Sequence, residues 1–222
     1  MRVFILHYYD DKNSFNHRLF LRERDFFLQK GYSVDTTVLT TDNFNTVSDR
    51  SNFTECADDS FFAQKKEERI ASKKKTFHPD IEKEIVKLEN CDFLLWQFPL
   101  RNFSMPAVLK GYIDKNFANG RIYGGLHIYE NGFFRGRSTL FSIVSDMDED
   151  NFGPGRRHGN IHEILYPIHR GVAQYVGFNV MIDKIFYAPE ERPPYEQEEM
   201  IGEFLKRLDA ISSESPFDFA RH

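Results

Sequence analysis

The chain has 222 residues, 41% hydrophobic and 28% charged, enough for one large domain with a sizeable core and too few for two ordinary ones. Its formal charge of −5 argues against a nucleic-acid protein with a basic face, and no stretch approaches the run of about 18 apolar residues that a membrane span needs. Cys56 and Cys91 make a poor disulfide framework, and the opening MRVFILHYYDDK has too short an apolar run for a signal segment, so a reducing, cytoplasmic setting is expected.

In chain order, residues 3–7 read as a buried strand and 14–30 as a helix. Asn13 or Ser14 offers its cap, Phe15, Leu19 and Phe26 share one apolar stripe, and Gly31 follows its end. Residues 33–39 form a second strand. A long polar excursion follows over 40–77, with a helix of its own in FFAQKKEERIASKKK. The KKK at 73–75 is a solvated loop or helix face. His78-Pro79-Asp80 introduces a short helix, and 92–98 is a third strand, apolar on both faces as inner parallel strands are. Residues 106–117 form a helix with Pro106 in its first turn. Residues 139–145 are a fourth strand, 161–176 a helix ending near Gly177, 180–187 a fifth strand, and 196–211 a closing amphipathic helix. Strands alternating with helices indicate a doubly wound α/β fold, and five of them suit the flavodoxin-like order 2-1-3-4-5. There is no internal repeat or linker, so residues 1–222 form one domain, with the excursion at 40–77 and the closing helix and tail at 194–222. The 23 Phe and 10 Tyr fit either a Phe-rich core or a flat-ligand pocket and subunit interface.

In that strand order the switch point lies between the first and third strands. The loops there are HYYDDKNSFN, residues 7–16, and QFPLRNFSMP, residues 97–106. The first runs into a helix start with Ser14 and Asn16, whose donors suit an anion such as pyrophosphate, or simply cap the helix. Neither GxGxxG nor GxxxxGK[ST] occurs, so Rossmann and P-loop readings lose support. The second loop brackets a rigid backbone and Phe103 between prolines, suited to the edge of a flat heterocycle or to an ordinary turn. HGNIHE, residues 158–163, sets two histidines four apart beside Glu163 in the manner of a zinc pair. No third ligand follows and Gly159 weakens a helix through both. His158 is therefore read as a loop proton or hydrogen-bond donor and His162 as a helix-surface residue. His127 and His169 carry no argument. Asp146, Asp148, Glu149 and Asp150 form an acidic loop, with Mg²⁺ or Ca²⁺ as the alternative. No nucleophile elbow supports a hydrolase.

His7, Ser14-Phe15-Asn16, HPDIEKEIVKLENCDFLLWQFPL and Pro106-Ala107-Val108-Leu109-Lys110-Gly111 resemble the NAD(P)H:quinone oxidoreductase (DT-diaphorase) family. Tyr166-Pro167-Ile168, Gly171, Gly177-Phe178, Lys206-Arg207-Leu208 and the NFN…SDRSNF segment at 43–53 extend the likeness over nearly the whole chain. The family's longer C-terminal extension has no counterpart here. The resemblance implies a flavodoxin-like homodimer with FAD (or FMN) at two sites built from both subunits. NAD(P)H would be the co-substrate and a quinone-like molecule the acceptor. Carried over, His7, Ser14, Phe15 and Asn16 would meet the pyrophosphate and ribityl part. Pro99, Leu100, Arg101, Asn102 and Phe103 would lie along the isoalloxazine, and Val144, Ser145, Asp146 and Met147 at its pyrimidine edge. His158 would donate near that edge, and Tyr123 would line the acceptor pocket from the partner subunit.

The departures are specific. Asn102 stands where the family commonly has Trp, and Val144-Ser145-Asp146-Met147 replaces Thr-Thr-Gly-Gly. Phe152 replaces a catalytic Tyr, Gly125 a pocket Tyr, and Gln197 an Arg near the adenine end. The side chains of Asp146 and Met147 would narrow the nicotinamide side or repel the charge of a reduced flavin. Two readings follow. The first is a flavin-dependent NAD(P)H oxidoreductase, supported by His158 and the Ser-Phe-Asn loop. The second is a non-enzymatic flavin- or nucleotide-sensing regulatory protein on the same fold, supported by the Gly-Gly loss and Phe152. An FMN-only electron carrier would be shorter and lack the excursion.

Overall fold

The computed structural model describes residues 1–40 and 44–217. Asn43 of the matched NFN segment and residues 218–222 of the expected tail lie outside the described residues. Strands β1 (Arg2–Tyr8), β2 (Ser33–Leu39), β3 (Phe93–Pro99) and β4 (Ser138–Ser145) join two short segments, β5 (Asn179–Val180) and β6 (Lys184–Tyr187). All pairs are parallel and the order is β2-β1-β3-β4-β5, with β6 also on β4. This is the expected flavodoxin-like sheet.

Helices cover both faces because the inner strands are apolar on both. Val3, Ile5, Phe93, Leu95 and Leu140 pack beneath α1 (Phe15–Gln29) and α6 (Pro194–Ala210). Their neighbours Phe4, Leu6, Leu94, Trp96, Phe98 and Phe141 point the other way, as the two-residue period of a strand requires. That second core is closed by α3 (Pro79–Asn90), α4 (Ala107–Asn116) and α5 (Ile161–Ile168). Ser14 caps α1 by accepting the His17 N–H at 3.2 Å. Pro106, expected inside the first turn of α4, stands at its N-cap instead.

The excursion is folded over its described residues 44–77. Its helix α2 (Gln64–Lys74) uses Glu67 to accept the Ala57 N–H at 2.7 Å and Glu68 to accept the Asn119 N–H at 2.8 Å. Residue 46 lies directly on α4. A Cβ on Gly111 would come within 2.6 Å of the Thr46 Cβ, so the glycine of the PAVLKG run is needed for this close approach.

Two elements differ from expectation. The fifth strand, expected to run unbroken over 180–187, is interrupted between Val180 and Lys184. Arg207 takes the interrupting carbonyls: its guanidinium donates to Ile182 O at 2.7 Å and lies 3.5 Å from Asp183 O. The helix expected over 161–176 is α-helical only to Ile168 and widens to a π-turn over His169–Gln174. Pro167, inside this helix, has no N–H to continue the regular ladder. Among the described residues no helix is long and apolar enough to cross a membrane.

One acid sits inside the α1 face. Glu23 is fully buried, and its Oε1 accepts from Ser142 Oγ at 3.1 Å while Oε2 has no hydrogen-bond partner. Burial pushes its carboxyl well above the usual 4.5, and the Ser142 bond only partly opposes this. An acid raised on folding leaves stability intact below its unfolded value and removes it as pH rises beyond that. Glu23→Gln should therefore flatten the loss of stability above pH 4.5 and gain about 1–2 kcal/mol at pH 8. Urea midpoints from pH 4 to 8 measure this. Parallel wild-type and variant curves would show that Glu23 does not set the slope.

Candidate functional site

The carboxyl ends of β1, β3 and β4 open into a cavity of about 320 Å³, within the range of small-ligand sites. Three loops and the segment after β6 form it. After β1, the Asn13 N–H donates to Asp11 Oδ1 at 2.7 Å and the Ser14 hydroxyl to Asp11 O at 2.7 Å. This tight turn delivers the chain into α1. Asn16 is held from below: its amide donates to Tyr8 O at 2.8 Å and accepts from Gln97 at 2.5 Å. The Tyr8 carbonyl of β1 and the Gln97 side chain of β3 thus fix the start of α1 against the strands that flank the switch point.

After β3, the Leu100 N–H donates to Val144 O at 2.7 Å, tying this loop to β4. Arg101 and Ser104 then exchange both backbone hydrogen bonds, at 2.9 and 2.8 Å. Between them Asn102 and Phe103 both have positive φ, 47° and 59°, the signature of a type I′ turn. Asparagine tolerates that region; phenylalanine does so only under strain. The strained Phe103 ring is 40% exposed and stands 5.2 Å from the His158 ring. After β4, the Met147 N–H donates to the Ser145 hydroxyl at 3.0 Å and turns Asp146 into the cavity wall.

The cavity brings together Ser14, Asn16, Pro99, Leu100, Arg101, Val144, Ser145 and Asp146. Phe15 contributes its backbone N–H, while its ring packs 5.3 Å from Phe186. His7 lies behind the wall, fully buried. Its Nδ1 is 3.1 Å from Gln97 O and its Nε2 3.1 Å from His17 Nδ1. Burial drives its pKa down to about 3, so the ring is neutral and, bonded to a carbonyl, carries its proton on Nδ1. His158, Phe152 and Phe103 form an aromatic group beside the cavity, with Phe152 5.4 Å from His158. Tyr123 lines a separate groove of about 540 Å³ with Phe117 and Tyr175. His162, expected on the surface, is half-buried and faces Asp183 at 3.6 Å. Among the described residues no three His, Cys, Asp or Glu side chains are placed to hold a metal ion.

Sequence reasoning put Asp146 at the site but missed the carboxylates that gather around it. Asp10, Asp11, Glu190 and Glu191 join Asp146 on the wall, against one cation among the described residues, Arg101. Arg101 is itself paired with Asp10, which also accepts the Tyr8 hydroxyl at 2.6 Å. Burial alone would raise the Asp10 pKa, but the hydrogen bonds from Tyr8 and Arg101 outweigh it and hold the carboxyl low. Burial, reinforced by that bond, pushes the Tyr8 hydroxyl up to about 12. Glu190 accepts the N–H of Phe15 from across 175 positions of sequence. Nothing in YAPEERPP signals that reach, since a Pro- and Glu-rich run reads as a solvated turn.

A flavin fits this crevice in its chemistry. Pro99, Leu100, Val144 and Ala188 give an apolar wall, the Pro99–Arg101 backbone gives a rigid edge, and the start of α1 turns its anion-favouring end to the cavity, with the Phe15 and His17 amides held by Glu190 and Ser14. Residues 1–210 match the model of a family described as having the flavodoxin-like fold. The chain is 31% identical over 220 residues to NAD(P)H dehydrogenase (quinone) 1 of Rattus norvegicus, covering 99% of this chain and 80% of the relative. A candidate quinone reductase from Klebsiella pneumoniae superposes with a TM-score of 0.89 at 25% identity, over 97% of this chain and 86% of that one. Over 102 residues, 46% of this chain and 54% of the relative, it is 33% identical to the glutathione-regulated potassium-efflux ancillary protein KefF of an Enterobacter species. A parallel sheet in the order β2-β1-β3-β4-β5, a crevice at its switch point and likeness along almost the full length lead to one assignment: the chain belongs to the NAD(P)H:quinone oxidoreductase family of the flavodoxin-like fold.

Proposed function

We propose that the protein is a flavin-dependent oxidoreductase that passes two electrons from NAD(P)H to a quinone-like acceptor. The observation that carries this reading is the cavity at the β1–β3 switch point, walled by the Pro99–Arg101 edge and opening onto the start of α1. It lies in a chain 31% identical to a quinone-type NAD(P)H dehydrogenase along 99% of its length. The flavin, when bound, supplies the electron-transfer chemistry between donor and acceptor. The protein's part is placement and charge. Pro99, Leu100, Asn102 and Phe103 hold the ring edge, Val144 to Met147 meet its pyrimidine side, and Ser14, Phe15 and Asn16 hold the phosphate end. His158 holds a proton beside Phe103. FAD is the preferred form, with FMN the alternative, and the site is completed in a homodimer by Tyr123 of the second copy.

A non-catalytic regulatory reading has one observation of its own. Asp146 adds a carboxylate to the wall that receives the ring, and the partial likeness to a potassium-efflux ancillary protein gives that reading a direction. One set of measurements separates the two. Protein purified without added flavin, then supplied with FAD or FMN, should show flavin absorbance and oxidise NADH or NADPH when a quinone is present. Light scattering on the same sample should give a dimer at micromolar concentration and high salt. Flavin binding without quinone-dependent turnover would favour the regulatory reading. Absence of any flavin binding would overturn the oxidoreductase and the flavin-sensing reading alike and leave only nucleotide sensing, and a stable monomer would remove the shared site.

A further inference from the structure

The first amide of α1 already holds an anion, and it belongs to the chain. Glu190 accepts the Phe15 N–H with Oε1. It stands on the short turn Pro189–Glu191, which the chain enters through Ala188 in a left-handed conformation, φ 42° and ψ 47°. The Ala188 N–H donates to Ser145 O at 2.8 Å, so the end of β4 fixes where the turn begins. Pro189 then stiffens it. Glu190 is exposed, but the turn that presents it to α1 is braced. The carboxylate occupies the seat that a helix start offers to a phosphate, inside the same cavity as Ser14 and Asn16. The other charges around it are Asp10, Asp11, Asp146 and Glu191, with Arg101 tied to Asp10. Among the described residues no free cation on that wall offsets the repulsion that an entering phosphate meets.

We propose that Glu190 is an internal competitor for the phosphate of the flavin and sets how tightly this chain holds its cofactor. A phosphate can take the Phe15 amide only after the Glu190 carboxylate leaves it. The wild-type protein thus holds FMN or FAD more weakly than its ring contacts alone would allow. The flavin becomes exchangeable rather than permanently bound. The inference rests on the flavin reading above and concerns the phosphate-bearing part of that ligand alone.

The test uses three ligands: FMN, FAD and riboflavin, which has the same ring and no phosphate. Affinities for apoprotein are read from quenching of flavin fluorescence. Glu190→Gln should bind FMN and FAD on the order of tenfold more tightly than wild type, the size of effect that a charge at a helix start exerts. Riboflavin affinity should stay within about twofold, because no phosphate competes for the amide. Glu190→Asp, which keeps the charge but shortens the reach, should tighten FMN binding as well. Glu191→Gln removes one charge from the same wall without freeing the amide, and should shift FMN affinity by about threefold or less. Equal FMN affinity in wild type and Glu190→Gln would overturn the proposal, as would equal tightening of riboflavin. If no ligand, riboflavin included, binds any of these proteins, the flavin reading itself falls. Thermal melts of the apoproteins check that each variant is folded.

Discussion

Asp183→Ala should cost the fold about 3–5 kcal/mol, the range seen when one member of a buried ion pair is removed. In a chain of this size each kcal/mol moves Tm by about 2–4 °C, so the melt should fall by roughly 6–20 °C. The carboxylate is fully buried, with Oδ1 2.9 Å from Nε2 of the equally buried His169. Its Oδ2 lies 3.6 Å from Nδ1 of His162. It also sits where the sheet changes from β5 to β6, so its loss leaves a buried imidazole facing a void at a break in the ladder. Burial pushes the Asp183 carboxyl up, but the two imidazoles that face it, His169 through a hydrogen bond and His162 across 3.6 Å, pull harder and leave it below 3.8. An acid lowered on folding contributes stability above its unfolded value and loses it as pH falls through the folded one. The advantage of wild type over Asp183→Asn should therefore hold at neutral pH and shrink below about pH 4. Urea midpoints at pH 7 and pH 3.5 provide the measurement. A loss under 1 kcal/mol in Asp183→Ala would mean that the pair is satisfied without this carboxylate.

The same cluster marks where the sequence stopped being legible. The sheet order could be read because each inner strand is a short apolar run closed by a helix signal, as in residues 92–98 before Pro106. Ser14 and Gly31 likewise announced both ends of α1. Each of these signals is local. The break after Val180 is not, because it depends on Arg207, 24 and 25 positions away. The π-turn after Ile168 had a local warning in Pro167, but a proline can end a helix, kink it or widen it, and only packing decides. At the site, the loops after β1, β3 and β4 were legible because fold topology alone sends them to one crevice. Glu190 was not, since its partner is 175 residues away. His169 was passed over as a lone histidine, and its meaning appears only when Asp183 is folded beneath it.

The other large effect is expected at His158, and it rests on the proposed electron transfer. A ring that takes up electrons gains negative charge at its pyrimidine edge, and a donor aimed there lowers the barrier. Histidine can serve near neutral pH, and the structure gives His158 a defined place. Its backbone N–H is bonded to Asn151 O at 2.9 Å, and its ring lies between Phe103 and Phe152, 5.2 and 5.4 Å away. Phe152 carries no hydroxyl to share the proton. It is 8% exposed and its ring lies 5.6 Å from Tyr187, so within the His158–Phe152–Phe103 group the proton donor is the histidine. His158→Gln should slow reduction of the bound flavin by NADH or NADPH by about one to three orders of magnitude, as loss of a single preorganised donor does. Flavin affinity should change by less than about threefold, because the proposed binding contacts lie on the loops after β1, β3 and β4. That split between rate and affinity separates a proton donor from a residue that merely shapes the loop, whose replacement would disturb both. Phe152→Tyr should raise the rate if its hydroxyl reaches the position that the histidine serves, and should partly rescue His158→Gln. Stopped-flow reduction of wild type and the three variants is the experiment. An unchanged rate in His158→Gln would reduce this residue to a packing partner for Phe103 and place the donor elsewhere.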